Sequence, residues 1–139
     1  MTTIPPSASV ADLLRRHLEA VGDDLDVEHE MYTDDAVLEF PQSGERFEGL
    51  ASFRAWRDQY PDAVALQVLR IRGGGDVWVV ECTISYEGGP WKPAVSIHEL
   101  RDGLIVHETI YTMEPWPAPE WRAQWRSATG PFGRDLPWA

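Results

Sequence analysis

Residues 76–113 read DVWVVECTISYEGGPWKPAVSIHELRDGLIVHETIYTM, and this stretch decides the fold. Val, Ile, Thr, Tyr and Trp dominate three segments of it, whereas Gly, Pro and Asp concentrate at the two joints. β-branched and aromatic residues favour strands, and Gly, Pro and Asp favour tight turns. The stretch therefore predicts three consecutive antiparallel strands, a β-meander.

The two turns set the register of the meander. Two-residue loops at the Gly-Gly and Asp-Gly dipeptides place Cys82 opposite Val95 and Ile97 opposite Glu108. Successive side chains on a strand point to opposite faces, so the register predicts one largely apolar face that also carries two glutamates. That face comprises Trp78, Val80, Cys82, Ile84, Val95, Ile97, Glu99, Val106, Glu108 and Ile110.

Length and charge limit the possible classes of protein. A chain of 139 residues, 43% of them hydrophobic, is expected to form one domain that buries about two-thirds of its unfolded surface. The net charge of −11 disfavours nucleic acid and anionic membranes as partners. No apolar run approaches the roughly 20 residues that span a bilayer. The single cysteine and an N-terminus without signal-peptide features predict a cytoplasmic protein.

The remaining segments complete an α+β pattern. Residues 1–8 form a polar arm that we expect to be flexible, residues 9–127 form the domain, and residues 128–139 form a C-terminal tail. Apolar residues at helical spacing predict three N-terminal helices, and short strands follow the second and third of them. The predicted helices span residues 9–22, 23–32 and 50–60. The predicted strands before the meander span 36–40 and 64–72, and residues 42–48 form a loop or a short strand. This order predicts a curved antiparallel sheet packed against the three helices.

Motifs for cofactors are not found. The glycines at 73–75 precede neither a helix nor a lysine, so they do not form a phosphate loop. The sequence also lacks a nucleophile elbow, zinc-type spacing and a dinucleotide fingerprint. Because no closely spaced set of His, Cys and acid is evident, we expect that the protein requires neither a cofactor nor a metal.

Several strings resemble the SnoaL-like, polyketide cyclase-like branch of the nuclear transport factor 2 superfamily. They are YTDDAVLEFP at 32–41, GLASFRAW at 49–56, ISYEGGP at 84–90 and ELRDGLIVHETIYTMEP at 99–115. The resemblance covers roughly residues 9–127. It implies a cone-shaped cavity between sheet and helices, and a homodimer that packs sheet against sheet.

The resemblance also allows individual positions to be compared. Where ketosteroid isomerases of the superfamily carry two acids, this chain has Phe40 and Ile97, so steroid isomerase chemistry is not expected. The epoxide-hydrolase pattern of two acids with an intervening arginine cannot be matched to positions in the sequence. The cyclases use a late-strand acid with a nearby histidine, and Glu108 is such an acid. The comparison implies that the face carrying Glu108 lines the cavity.

Glu108 and His17 are the candidate catalytic residues. Glu108 lies on an apolar strand face, where burial should raise the pKa of a carboxyl toward neutrality. His17 lies on the apolar stripe of the first helix, although a buried histidine bonded to a backbone carbonyl would have the same pattern. The predicted ligand-binding residues are Tyr32, Phe40, Trp56, Tyr60, Trp78, Val80, Cys82, Val95, Ile97, Glu99 and Ile110.

These residues predict an enzyme that uses cofactor-free acid-base chemistry on a small hydrophobic molecule, as an isomerase, cyclase or hydrolase. Two alternatives stay open. Glu81, His98, His107 and Tyr111 share the other sheet face, with the two histidines directly across from each other. The protein could also be a binding or assembly module without catalysis. Convergence of Glu108 and His17 in one cavity would favour the enzyme.

The half-apolar outer sheet face and the tail predict further contacts. A monomer would leave this face exposed to water, so we expect a homodimer. Trp116, Trp121 and Trp125 are expected to close over the cavity mouth or the dimer seam, or to form a packing strap.

Overall fold

The computed structural model describes residues 9–138. The predicted arm at residues 1–8 lies outside this range. The helices are α1 (Val10–Glu19), α2 (Leu25–His29) and α3 (Leu50–Asp58). The strands are β1 (Tyr32–Phe40), β2 (Glu45–Glu48), β3 (Val64–Gly74), β4 (Val77–Tyr86), β5 (Lys92–Arg101) and β6 (Leu104–Thr112). Two short 3₁₀ turns follow, at Glu120–Trp125 and Pro131–Gly133.

The six strands form one sheet in the order β2-β1-β6-β5-β4-β3. β1 runs parallel to β6, and all other neighbouring strands are antiparallel. The sheet is therefore mostly antiparallel, whereas the prediction was a wholly antiparallel sheet. The core lies between the sheet and the helices, where Leu14 and Phe53 pack with Leu38 and Val80. No helix within residues 9–138 is long and apolar enough to cross a membrane.

The first hairpin of the meander turns one residue earlier than predicted. Glu87 and Gly88, rather than the Gly-Gly dipeptide, have positive φ angles of 53° and 66°. The pairing of Ile84 with Lys92 is centred on Gly88, so the loop has an odd number of residues and Cys82 pairs with Ala94 instead of Val95.

The second hairpin turns at the predicted Asp-Gly dipeptide, and the two residues have φ of 54° and 79°. An irregularity between Glu99 and Leu100, one extra residue on β6, then shifts the register. Glu108 therefore pairs with His98 instead of Ile97. A one-residue shift reverses the face of every side chain in a strand, so β5 presents Ala94, Ser96 and His98 to the helices.

Gly22 ends the α1 segment against β3, and its backbone conformation requires glycine. Its φ is +78°, and a Cβ at this position would lie 1.9 Å from the Val64 carbonyl oxygen. Gly22→Ala is expected to lower the free energy of unfolding by more than about 3 kcal/mol, because a left-handed conformation and a backbone clash act together. Urea unfolding followed by tryptophan fluorescence measures the change.

Gly44→Ala is the matched control. Gly44 has a φ of +77°, but a Cβ there meets no atom within 4 Å. The loss should therefore be only about 1–2 kcal/mol. Equal losses in the two variants would show that the close approach of α1 to β3 does not constrain the fold.

Candidate functional site

A cavity of about 370 Å³ lies between the helices and the sheet. Its walls are mostly apolar and include Leu18, Val21, Leu25, Phe40, Trp56, Tyr60, Leu66, Cys82, Ile84, Tyr86, Ala94 and Ile110. Polar side chains from three helices and one strand also reach it, namely His17, Glu28, Arg57 and Glu108. The cavity therefore combines an apolar lining with a small group of ionisable residues.

Glu108 is the centre of the ionisable group, and it is only 1% exposed. The Tyr32 hydroxyl donates to its Oε1 at 2.6 Å. His17 Nε2 lies 2.8 Å from Oε2, and His98 Nδ1 lies 3.0 Å from the same oxygen. Arg57 Nη2 lies 3.7 Å from Oε1. Four side chains from four other elements thus meet at one carboxyl group.

The tautomer of His17 follows from its second contact. His17 Nδ1 lies 2.7 Å from the backbone carbonyl oxygen of Glu28. A carbonyl oxygen can only accept, so Nδ1 carries a proton and donates it. Nε2 therefore faces Glu108, and a hydrogen bond between Nε2 and the carboxyl oxygen needs one proton, held by either of the two groups. His17 is thus both bonded to a carbonyl and placed in the cavity wall.

The pKa of Glu108 moves in the direction opposite to the prediction. Burial raises it, but the charges of His17 and His98, together with the hydrogen bond to His17, lower it further, so that the pKa of Glu108 lies well below its ordinary value. The prediction of a raised pKa was wrong because it placed Ile97, not His98, beside the carboxyl group. Glu108 is accordingly an ionised carboxylate near neutral pH.

Glu28 is a second buried acid, and sequence reasoning missed it. Arg57 Nε lies 3.3 Å from Glu28 Oε2, and the same guanidinium lies beside Glu108. Burial raises the pKa of Glu28, with Arg57 opposing the shift. The structure thus contains two acids with an arginine between them, a pattern that could not be matched in the sequence. The three residues belong to α2, α3 and β6, and their spacing along the chain gives no signal.

His29 supports Arg57 from the side away from the cavity. Its Nδ1 donates to the Leu25 carbonyl oxygen at 2.7 Å, so its Nε2 accepts from Arg57 Nη1 at 3.2 Å. Burial lowers the pKa of His29 from 6.5 to about 4, although its bond to Leu25 opposes the shift. The ring is therefore neutral where the unfolded chain would already be protonated.

His29 makes stability depend on pH between 6.5 and about 4. In this window the unfolded state binds more protons than the folded state, so the free energy of unfolding falls as pH is lowered. The shift corresponds to roughly 3 kcal/mol, of which we expect about 2 kcal/mol after solvent screening. His29→Gln should remove this part of the slope in urea unfolding between pH 7 and pH 4. An unchanged slope would contradict the assignment.

The structure separates the predicted ligand-binding residues into two groups. Those that line the cavity are Phe40, Trp56, Tyr60, Cys82, Val95 and Ile110. Those outside the lining are Tyr32, Trp78, Val80, Ile97 and Glu99. Tyr32 and Val80 are buried in the core behind the lining. Ile97 lies on the opposite face of β5 because the register of this strand differs from the predicted one.

The alternative constellation on the other sheet face does not form. His98 is paired with Glu108, and His107 instead contacts Glu99 and Glu39. Glu81 pairs with two arginines of β3 at 2.6 and 3.0 Å. The two histidines therefore lie on opposite faces, because the irregularity beside Glu99 shifts one strand against the other.

The expectation that no closely spaced set of His and acid exists was also wrong. His17, His98 and Glu108 each offer a ligand atom, and these atoms lie within 4.8 Å of one another. The three residues come from α1, β5 and β6, so the set arises only when the sheet and the first helix have packed.

As far as residue 138, the tail does not cover the cavity. Trp116, Trp121 and Trp125 are 80%, 73% and 72% exposed, and none of the three lines it. Their part in a dimer seam stays a prediction. The last described residues instead lie on the outer sheet face, where Phe132 and Trp138 line a small cavity together with Val95 and other residues.

Comparisons with known proteins agree with this architecture. The family model of the SnoaL-like domain matches residues 14–108. A solved NTF-2-like protein of unknown function from Burkholderia xenovorans LB400 is 41% identical, with a TM-score of 0.81 over 87% of this chain and 95% of that chain. A search of the curated proteins found no match.

Two further solved structures share the fold at lower identity. A candidate ketosteroid isomerase from Kribbella flavida DSM 17836 is 23% identical, with a TM-score of 0.75 over 90% of this chain and 93% of that chain. An LEH-like epoxide hydrolase from M. tuberculosis is 20% identical, with a TM-score of 0.65 over 75% of this chain and 82% of that chain. The matched family model and the 41% identical relative together establish that this chain belongs to the SnoaL-like family, with the fold of nuclear transport factor 2.

Proposed function

We propose that this protein is a small-molecule enzyme that moves protons on a hydrophobic metabolite without a cofactor. The observation that carries the proposal is the contact of 2.8 Å between His17 Nε2 and Glu108 Oε2 in the wall of an apolar cavity. A histidine and a carboxylate at hydrogen-bond distance can exchange a proton with a bound molecule. Isomerisation, cyclisation and hydrolysis all need such a step.

The pKa values of the two acids of the site are shifted in opposite directions, which suits one acid to accept a proton and the other to donate one. The charges of His17 and His98 hold Glu108 in its ionised form, so Glu108 is the candidate for the group that accepts a proton. Burial favours the protonated form of Glu28, which makes it the candidate donor. Paired acids whose environments move their pKa values apart are a frequent sign of acid and base assignments. Arg57, between them, would oppose the build-up of negative charge.

The lining restricts the class of substrate. A volume of about 370 Å³ suits a molecule of drug-like size or smaller. Aromatic side chains along one wall, from Phe40 to Trp56 and Tyr60, offer ring faces for a flat molecule. We therefore propose a hydrophobic compound with a carbonyl group, an epoxide or fused rings. Two solved relatives bear the names of enzymes, an isomerase and an epoxide hydrolase, which supports catalysis over binding alone.

The proposal can be tested without knowing the natural substrate. Hydrophobic ketones, enones and epoxides are incubated with the protein in D₂O, and deuterium uptake or ¹⁸O-water addition is followed by mass spectrometry. His17→Gln should lower any activity found by roughly 10²-fold or more, because the proton relay is lost. His107→Gln is the control, since His107 lies outside the cavity lining.

Equal activity of wild type and His17→Gln would contradict the proposal. If no compound reacts but apolar ligands bind wild type and variant equally, the protein is a binding module of the same fold.

A further inference from the structure

His17, His98 and Glu108 form a cluster of possible metal ligands in which one nitrogen, His98 Nδ1, makes no hydrogen bond. All three side chains are buried, with exposures of 2%, 0% and 1%. His98 Nε2 lies 2.8 Å from the Ser96 hydroxyl oxygen, which leaves Nδ1 directed toward the carboxyl group. Although this nitrogen lies 3.0 Å from Glu108 Oε2, it makes no hydrogen bond of acceptable geometry.

A buried polar atom without a hydrogen bond is unfavourable, because it has lost its contact with water and gained no partner in exchange. His98 Nδ1 is such an atom, and it is aimed at the other two donors. It is therefore an observation separate from the clustering itself, and it indicates a missing partner. An electron-pair acceptor placed among the three groups would satisfy it.

The outer contacts of both histidines are those of metal ligands. Histidines that bind metals usually donate their other ring N–H to a carbonyl, a carboxylate or water, which orients the ring. His17 does so at the Glu28 carbonyl, at 2.7 Å. His98 has the Ser96 hydroxyl in the corresponding position. Both rings thus direct the second nitrogen toward Glu108.

We propose that His17 Nε2, His98 Nδ1 and the Glu108 carboxylate bind one divalent transition-metal ion, such as Zn²⁺ or Co²⁺. Two imidazoles and one carboxylate form a recurrent set for such ions. Bonds of about 2.0–2.2 Å in a tetrahedral array separate ligand atoms by roughly 3.3 Å. The separations of 2.8 and 3.0 Å from Glu108 Oε2 to the two nitrogens would open slightly, and all three ligand atoms already lie within 4.8 Å of one another.

The ion would reach the set from the cavity, because His17 and Glu108 line it. Its binding displaces the proton that lies between His17 and Glu108. Metal and proton transfer therefore compete for the same atoms, and an ion bound there would inhibit the acid-base chemistry proposed above. The metal proposal does not depend on that chemistry, since binding is measured without a substrate.

The test uses the full chain, freed of metal by dialysis against a chelator. Calorimetric titration with Zn²⁺ should give one ion per chain, with a Kd in roughly the micromolar range or tighter. Co²⁺ should give visible absorption bands typical of a tetrahedral or five-coordinate site. His98→Asn should weaken Zn²⁺ binding by roughly 100-fold. His107→Gln is the matched control, because His107 contacts two carboxylates at the surface and offers the main competing site.

Nitrogen NMR of the wild type avoids any doubt about the folding of a variant. Zn²⁺ should shift His17 Nε2 and His98 Nδ1 toward metal-bound values while His29 stays unchanged. The proposal is overturned if wild type binds no ion below millimolar Zn²⁺, if binding persists in His98→Asn, or if it is lost in His107→Gln. If His17→Gln loses activity but the wild type binds no Zn²⁺, the proposed enzymatic function is supported and the metal proposal is refuted.

Discussion

Glu108→Gln is expected to lower the turnover of a proton-transfer substrate by roughly 10²- to 10⁴-fold. The carboxamide has the shape of the carboxylate, but it cannot take up or release a proton near neutral pH. At the cavity wall, Glu108 is hydrogen-bonded both to His17 and to Tyr32, which lies in the core behind the wall. The relay between the cavity and His17 is therefore interrupted at its centre.

The variant should nevertheless fold, because its hydrogen bonds can be rebuilt. The amide oxygen can accept from the Tyr32 hydroxyl, in place of Oε1. The amide N–H can donate to His17 Nε2, since His17 already carries a proton on Nδ1 and its other nitrogen is then an acceptor. Binding of an apolar ligand should survive, so the loss should appear in kcat rather than in ligand affinity.

Glu99→Gln is the matched control for this substitution. Glu99 is exposed, lies outside the cavity lining and contacts His107. Its variant should keep the parental rate, and thermal unfolding should show that both variants are folded. Parental turnover by Glu108→Gln would end the catalytic assignment of Glu108.

Cys82 should react roughly 10³-fold more slowly with iodoacetamide at pH 8 in the folded protein than in the unfolded chain. Burial, and secondarily the charge of Glu108, raises the pKa of the Cys82 thiol from 9.0 to about 12. Because the thiolate is the nucleophile, a higher pKa leaves little reactive form at pH 8. The thiol is only 2% exposed, and its Sγ lies 3.5 Å from the Ala94 carbonyl oxygen.

Mass spectrometry of timed samples, with and without denaturing urea, measures this protection. Glu108→Gln provides an internal comparison, because removal of the nearby charge should lower the pKa of Cys82 and increase the rate moderately. Since Cys82 lines the cavity, a bound apolar ligand should slow the reaction further. Rapid labelling of the folded wild type would show that water reaches this wall of the cavity freely.

Much of the fold could be predicted because its signals are local. The strand segments and the Asp-Gly turn of the meander were read from residues adjacent in the chain, and the structure confirms them. The first helix was recognised from apolar spacing, and its Ser9 N-cap is present, with the hydroxyl accepting from the Asp12 amide at 3.1 Å. Local preference and hydrophobic periodicity are sufficient for such elements.

The register could not be predicted with the same success. An extra residue beside Glu99 and a turn shifted to Glu87 change the pairing of two hairpins. Neither feature has a distinct sequence signal. The extra residue leaves no mark in the residue types of β6, and a positive φ at Glu87 is not expected because residues other than glycine rarely adopt one. The register error placed Ile97 beside Glu108, where the structure has His98. The predicted direction of the pKa shift of Glu108 was wrong for the same reason.

The sequence by itself determined the α+β class, the meander, the family and the two residues, His17 and Glu108, that meet in the cavity. Tertiary structure alone decided the rest of the site. Glu28 and Arg57 lie on separate short helices, and only packing against β6 places Arg57 between Glu28 and the Glu108 carboxyl group. Periodicity shows which face of an element is buried, but not which buried polar groups will share a hydrogen bond. That choice depends on sheet register and helix position to within a few ångströms.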